Sequence, residues 1–132
     1  MVGRSHVKSW VTDYERAWCT PGTAAMSGLF SDNATYRQTP YGTSIAGLDA
    51  IVSMWEQERE GPDELFTMTS EVVAVDDDIA VVRVQVDYGD PVTQEYLDLW
   101  VLRFNEDGRC IAFEEWPFWP EQGVSPLGRA PC

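Results

Sequence analysis

The stretch YLDLWVLRFNEDGRCIAFEEWP, residues 96–117, decides the fold. Two runs rich in aromatic and branched residues flank Asn105-Glu106-Asp107-Gly108, with glycine where a turn needs a positive φ, so the stretch reads as a β-hairpin. A three-residue loop, Glu106 to Gly108, pairs Asn105 with Arg109. Continuing that register sets Trp100 opposite Glu114 and Asp98 opposite Trp116. Side chains alternate along a strand. One face then carries Tyr96, Asp98, Trp100, Leu102, Phe104, Cys110, Ala112, Glu114 and Trp116. The other carries Leu97, Leu99, Val101, Ile111 and Phe113. Both are largely apolar, unlike those of a sheet with one wet side. One face must meet the rest of the domain, and the other needs a second partner, most simply another copy of the chain. Carboxyls mixed with large aromatics read as the lining of a ligand pocket, and the aliphatic face reads as the contact of a homodimer. A β-bulge between Ile111 and Trp116 exchanges Glu114 and Glu115 between faces, so which of them points inward stays open.

Upstream, the β character continues. Leu65 to Val75 and Ile79 to Tyr88 are strands joined by Asp76-Asp77-Asp78, and Gly89-Asp90-Pro91 turns into the strand Gln94 to Phe104. Arg109 to Trp116 is the last strand, ended by Pro117 and Pro120. The first half has the helical period instead. Ser5 can cap a helix with Trp10, Val11, Tyr14, Ala17 and Trp18 on one face. Pro21 or Thr23 starts a short second helix ending at Leu29-Phe30. Ala34 to Gln38 is a short strand around Tyr36, Thr39 to Ala46 a loop, and Gly47 opens a third helix with Leu48, Ile51, Val52 and Trp55 inward. Gly61 and Pro62 stop it. The fold class is α+β, with three N-terminal helices packed on a strongly curved antiparallel sheet around a hydrophobic pocket. Residues 1–120 form one domain and 121–132 a loose tail rich in Pro and Gly.

Composition narrows the function. The chain has 132 residues, which suits one domain. Its net charge of −13, from 22 acidic and 9 basic residues, disfavours nucleic acid and anionic membrane surfaces. Six Trp, five Tyr and five Phe are hard to pack solidly in so small a domain, so some should line a cavity. Cys19, Cys110 and Cys132 form neither a disulfide framework nor a metal-ligand spacing. Neither a signal peptide nor a membrane span is visible, and the chain reads as cytoplasmic. No phosphate loop, dinucleotide fingerprint or metal cluster is present, so neither a metal nor an organic cofactor is expected.

The order and spacing of several segments resemble the nuclear transport factor two-like superfamily, and within it the SnoaL-like branch. The segments are Trp10 to Trp18, Leu29-Phe30 with Ala34-x-Tyr36, Gly47 through Ile51 to Trp55, and the hairpin from Tyr96-Leu97-Asp98-Leu99-Trp100 to Phe113-x-Glu115-Trp116-Pro117. The resemblance covers roughly residues 5 to 120. It implies a cone-like α+β barrel with a deep pocket, usually a homodimer. Its members include polyketide cyclases, ketosteroid isomerases, epoxide hydrolases, dehydratases and non-catalytic binders, so the fold leaves the function open. The enzymes use pocket carboxylates, often with Tyr, Arg or His. The epoxide hydrolases' Arg-x-Asp triplet is absent here, since Tyr96 stands two before Asp98. The dehydratase histidines are absent too, His6 being the single histidine. No Tyr and Asp constellation equates with that of the isomerases.

Asp98, flanked by Leu97, Leu99 and Trp100, is costly to bury unless paired or protonated. It reads either as a general acid or base tuned by an apolar pocket or as a hydrogen-bonded structural carboxylate. Glu114 or Glu115 supplies a second carboxyl on the same terms. Arg83, inside an apolar strand, either neutralises Asp98 or binds an anionic substrate oxygen, or else lies outward along the sheet. Tyr14, Tyr36, Tyr41 and Tyr96 are candidate donors, and Trp18, Trp55, Trp100 and Trp116 candidate walls, each with core packing as the plainer reading. Cys110 reads as a small buried hydrophobe. The leading expectation is a cofactor-independent cyclase, isomerase or hydratase acting on a small hydrophobic molecule, with Asp98 as base. A non-catalytic dimeric binder of a small hydrophobic ligand is the alternative, and a scaffold without ligand the third.

Overall fold

A computed structural model describes residues 2–59 and 65–120. Helix α1 spans Arg4–Cys19 and buries Val7, Trp10, Val11, Tyr14 and Ala17 at helical spacing. Its cap is Gly3, two residues before the Ser5 that the sequence favoured. Helix α2 is a single turn, Met26–Leu29, after an irregular run through Pro21 and Thr23. Strand β1, Phe30–Arg37, starts four residues before the expected Ala34. The segment read as a loop contains a two-residue strand β2, Ile45–Ala46, paired with Thr35 and Tyr36. Helix α3, Leu48–Glu58, follows Gly47, whose φ of 94° suits glycine. The Gly61-Pro62 stop and the tail from 121 fall outside the described residues.

The long strands are β3, Phe66–Asp76, β4, Ile79–Tyr88, β5, Gln94–Phe104, and β6, Cys110–Phe118. They form one six-stranded sheet in the order β2-β1-β6-β5-β4-β3. All pairs are antiparallel except β1 with β6, which run parallel. The sheet curls without closing, and the helices cover its concave face. Alternation puts Ala80, Val82, Val84 and Val86 of β4 and Asp98, Trp100, Leu102 and Phe104 of β5 inside.

The last hairpin corrects the expected register. Asn105 does meet Arg109, the Asn105 N–H donating to the Arg109 carbonyl at 2.9 Å. Two steps on, Phe104 pairs with Cys110 but Arg103 pairs with Ala112, so Ile111 is an extra residue, a β-bulge. Every later residue of β6 changes face. Trp100 lies opposite Glu115, not Glu114, and Asp98 opposite Pro117, not Trp116. Phe113, assigned to the outer aliphatic face, is 1% exposed in the core. The strand also runs through Pro117 to Phe118. Pairing with β1 is last seen at Glu114, so Pro117 needs no N–H on that side.

His6 of α1 locks this hairpin. Its Nε2–H donates to the Gly108 carbonyl at 2.7 Å, and its ring meets Phe104 edge-on at 5.6 Å. Gly108 has φ 81°, and a Cβ there would stand 2.8 Å from the imidazole. Both the turn and the close approach require glycine.

Candidate functional site

The concave face is filled at one end and hollow at the other. At the filled end, Phe113 lies between Tyr14 (5.6 Å) and Tyr36 (4.3 Å), stacked on both, and Trp10 and Trp100 close in around them. Such ring pairs add about 0.5–1.5 kcal/mol each beyond area burial. The hollow end is a cavity of about 720 Å³ between α1, the ends of β1 and α3, and the inner sides of β3 to β6. That volume suits a drug-sized ligand. Phe66, Met68, Val86 and Trp18 give it apolar walls.

Two polar pairs sit on the cavity wall. The first is Tyr14 and Tyr36, buried, with hydroxyls 2.9 Å apart. One hydroxyl donates to the other, which leaves one hydrogen of the pair free to donate elsewhere. Burial holds both phenols well above 10, and the Glu115 carboxylate would push them further. They remain neutral donors.

The second pair is Asp98 and Glu115. Asp98 is 6% exposed, and its Oδ1 has no hydrogen-bond partner. Burial raises it above its usual carboxylate range, while hydrogen bonding with Glu115 and the nearby Trp100 indole favour its charge. The indole N–H itself is buried without a hydrogen bond of ordinary geometry. Glu115 is raised well above its usual value by burial first, then by the charge and hydrogen bond of Asp98 and by Glu58. Two neighbouring buried carboxyls cannot both be charged cheaply, so the pair is disposed to hold one proton between them.

The bulge brings together what the straight register separated. Without Ile111 as an extra residue, Glu114 would face the pocket and Glu115 would lie outside. Instead, Glu114 faces outward and pairs with Arg37 at 3.5 Å. Trp116, on the same outer side, is 39% exposed, and Tyr41 is on the surface. Arg83 also points out, 3.4 Å from Glu71, and reaches neither Asp98 nor the cavity. Trp55 is fully buried behind the wall, edge-on to Tyr14 and Trp18 at 4.9 and 4.8 Å. Tyr14, Trp18, Tyr36, Tyr96, Asp98 and Trp100 line the cavity. Cys110 is buried, its thiol pushed up to about 12 by burial, which suits a core residue and not a nucleophile.

Among the lining residues that the sequence did not single out are Gln38 and Glu58. Gln38 Nε2 donates to both oxygens of Glu58, at 2.7 and 2.8 Å, at the cavity's rim. Gln38 lies two residues beyond Tyr36 and therefore on its face. Glu58 follows Met54 and Trp55 at helical spacing, on the edge of the buried stripe. The spacing was legible; the polarity of both residues hid it.

The sequence profile of the SnoaL-like domain matches residues 11–113. The chain belongs to the SnoaL-like family. No curated protein matches it significantly. Among solved structures, this SnoaL-like chain is similar to a nuclear transport factor two-like protein of unknown function from Burkholderia xenovorans, with TM-score 0.69 and 11% identity over 91% of this chain and 88% of that one. It is similar to a candidate polyketide cyclase from Sinorhizobium meliloti, with TM-score 0.63 and 22% identity over 81% and 93%. A candidate ketosteroid isomerase from Parabacteroides distasonis gives TM-score 0.58 and 22% identity over 83% and 86%. At these identities the likeness establishes the fold. No described helix is long and apolar enough to cross a membrane.

Proposed function

We propose that this SnoaL-like protein takes a hydrophobic, cyclic or polyketide-like metabolite into its cavity and acts on it by proton transfer, as a cofactor-independent cyclase, isomerase or hydratase. The observation that carries this reading is that the Asp98 and Glu115 carboxyls are buried next to each other on the wall of an aromatic cavity. The pair is base and acid at once. Asp98 Oδ1, without a partner, takes a proton from a carbon beside a carbonyl. Glu115 supplies one at a second position, so the net proton count is unchanged, as ring closure and isomerisation require. The free hydroxyl hydrogen of the Tyr14–Tyr36 pair donates to the oxygen on which charge develops. That role falls to the tyrosines because Arg83 lies outside. The neighbours named as candidate polyketide cyclase and ketosteroid isomerase support the same class of chemistry.

The test is Asp98→Asn on a panel of cyclic ketones, enones and polyketide-like compounds, with ligand binding followed by Trp fluorescence. The substitution keeps the shape and removes the titratable proton. The enzyme loses turnover by about a hundredfold or more and keeps its affinity. Turnover unaffected by Asp98→Asn removes the residue from the mechanism. Ligand binding without turnover in the wild type is the result that identifies a carrier.

A further inference from the structure

The charges around the cavity point to one kind of ligand. Asp98, Glu115 and, at the rim, Glu58 line it, together with seven aromatic side chains including Trp18, Tyr96 and Trp100. No Lys, Arg or His among the described residues lines it. The basic side chains nearby are engaged elsewhere. Arg59 packs on Trp55 and gives its guanidinium to the carbonyls of Ala17, Thr20 and Gly22. Arg37 and Arg83 sit on the outer face with Glu114 and Glu71, and Arg109 reaches Asp107 and the Ser27 carbonyl. An anionic ligand would meet three carboxyls and no counter-charge. A wholly apolar one would leave Asp98 Oδ1, on a residue that is 6% exposed, without any donor.

We infer that the ligand of this site carries a positively charged nitrogen on an apolar body, held between the Asp98–Glu115 pair and the faces of the surrounding aromatic rings. This rests on the cavity being the functional site and names the chemical class of what enters it. Aromatic faces attract cations through their quadrupole, most strongly when desolvated. Two carboxyls that share one proton already carry a single negative charge, which is the counter-charge a monocation needs. The other titratable groups lining the cavity are Tyr14 from α1, Tyr36 from β1, Glu58 from α3, Tyr88 from β4 and Tyr96 from β5. None is basic, so no group of the site competes with the cation for that charge.

The experiment measures binding of choline and benzyltrimethylammonium by Trp fluorescence and calorimetry at neutral pH. Neohexanol, the uncharged carbon isostere of choline, and benzoate are the comparisons. The cations bind at least about tenfold more tightly than neohexanol, and benzoate does not bind. Asp98→Asn combined with Glu115→Gln, checked for folding by circular dichroism, removes most of that preference. Glu71→Gln, on the outer face, leaves it unchanged and separates the site from the general attraction of a chain of net charge −13. Neohexanol or benzoate binding as tightly as the cations overturns the inference, as does a cation preference that survives the double substitution or the absence of cation binding. Proton transfer on neutral ketones, lost in Asp98→Asn, would stand through such a failure, because it is read on turnover and not on ligand charge.

Discussion

Glu114 and Glu115 are neighbours in the chain and occupy opposite environments. Glu114 lies on the convex side of the sheet, at 3.5 Å from Arg37, where water and a counter-charge both reach it. Glu115 lies on the concave side against Asp98, behind aromatic rings and with no cation lining the cavity among the described residues. One bulged residue, Ile111, decides which is which. The convex side stores charge as separate ion pairs, Arg37–Glu114 and Arg83–Glu71, each worth about 1 kcal/mol or less. The concave side stores it as two acids forced to share a proton. The difference teaches that residue type says little about function here, and that the strand face says most.

The largest contrast is in packing. Phe113 and Phe118 are the same residue on the same strand, 1% and 48% exposed. Phe113→Ala costs about 3–5 kcal/mol in denaturant unfolding, since it empties the space between Tyr14 and Tyr36. Phe118→Ala costs less than half of that. Equal losses would mean that the register beyond Ile111 is not the one described.

A second contrast is in association. On the convex side Leu97 pairs across the strands with Phe118, and Leu99 with Trp116. These make an apolar patch of the kind soluble monomers seldom expose. A homodimer built on this patch is the expectation, with Trp116 and Phe118 taking the place of Phe113. Sedimentation should give a dimer at micromolar concentration and half that mass for Leu97→Glu. A wild-type monomer would sink the dimer while leaving the cavity untouched.

The smallest contrast is in pH dependence, and it isolates the carboxyl pair. Folding raises the Glu115 carboxyl above its unfolded value. Such a group contributes stability that is complete below the unfolded pKa and is lost as pH rises through the folded one. Glu115→Gln removes that loss. The variant therefore gains melting temperature over the wild type, and the gain grows with pH above the ordinary carboxylate range. Glu114→Gln costs no more than the about 1 kcal/mol of its ion pair with Arg37. A gain for Glu115→Gln that shrinks as pH rises has the wrong sign and contradicts a raised folded pKa.

Much of this was legible in the chain. Period-two runs from Ile79 to Tyr88 and Gln94 to Phe104 gave those strands to the residue. The helical stripe Trp10, Val11, Tyr14, Ala17 is buried as read. The site was less legible, because a bulge adds one residue without any composition signal, and one residue inverts a strand. The straight hairpin therefore sent Glu114 and Trp116 inward and Phe113 outward. Arg83 was open to an inward and an outward reading, and the outward one is what the structure has. The alternation that buries its neighbours Val82 and Val84 turns Arg83 out. The Tyr14–Tyr36 pair joins residues 22 apart in sequence, and only the packing of α1 over β1 brings them together. β2, two residues long, is defined by its partner and carries no pattern of its own.

The shared proton can be observed directly. Heteronuclear NMR of the side-chain carboxyl carbons, assigned with Asp98→Asn and Glu115→Gln, follows each acid of the pair through a pH titration of the unliganded protein. The prediction is one proton retained by the pair at neutral pH, with the titrations of the two residues coupled so that each substitution moves the other. Asp98 and Glu115 both ionising independently within the ordinary carboxylate range would contradict it, and with it the acid–base role of the concave face.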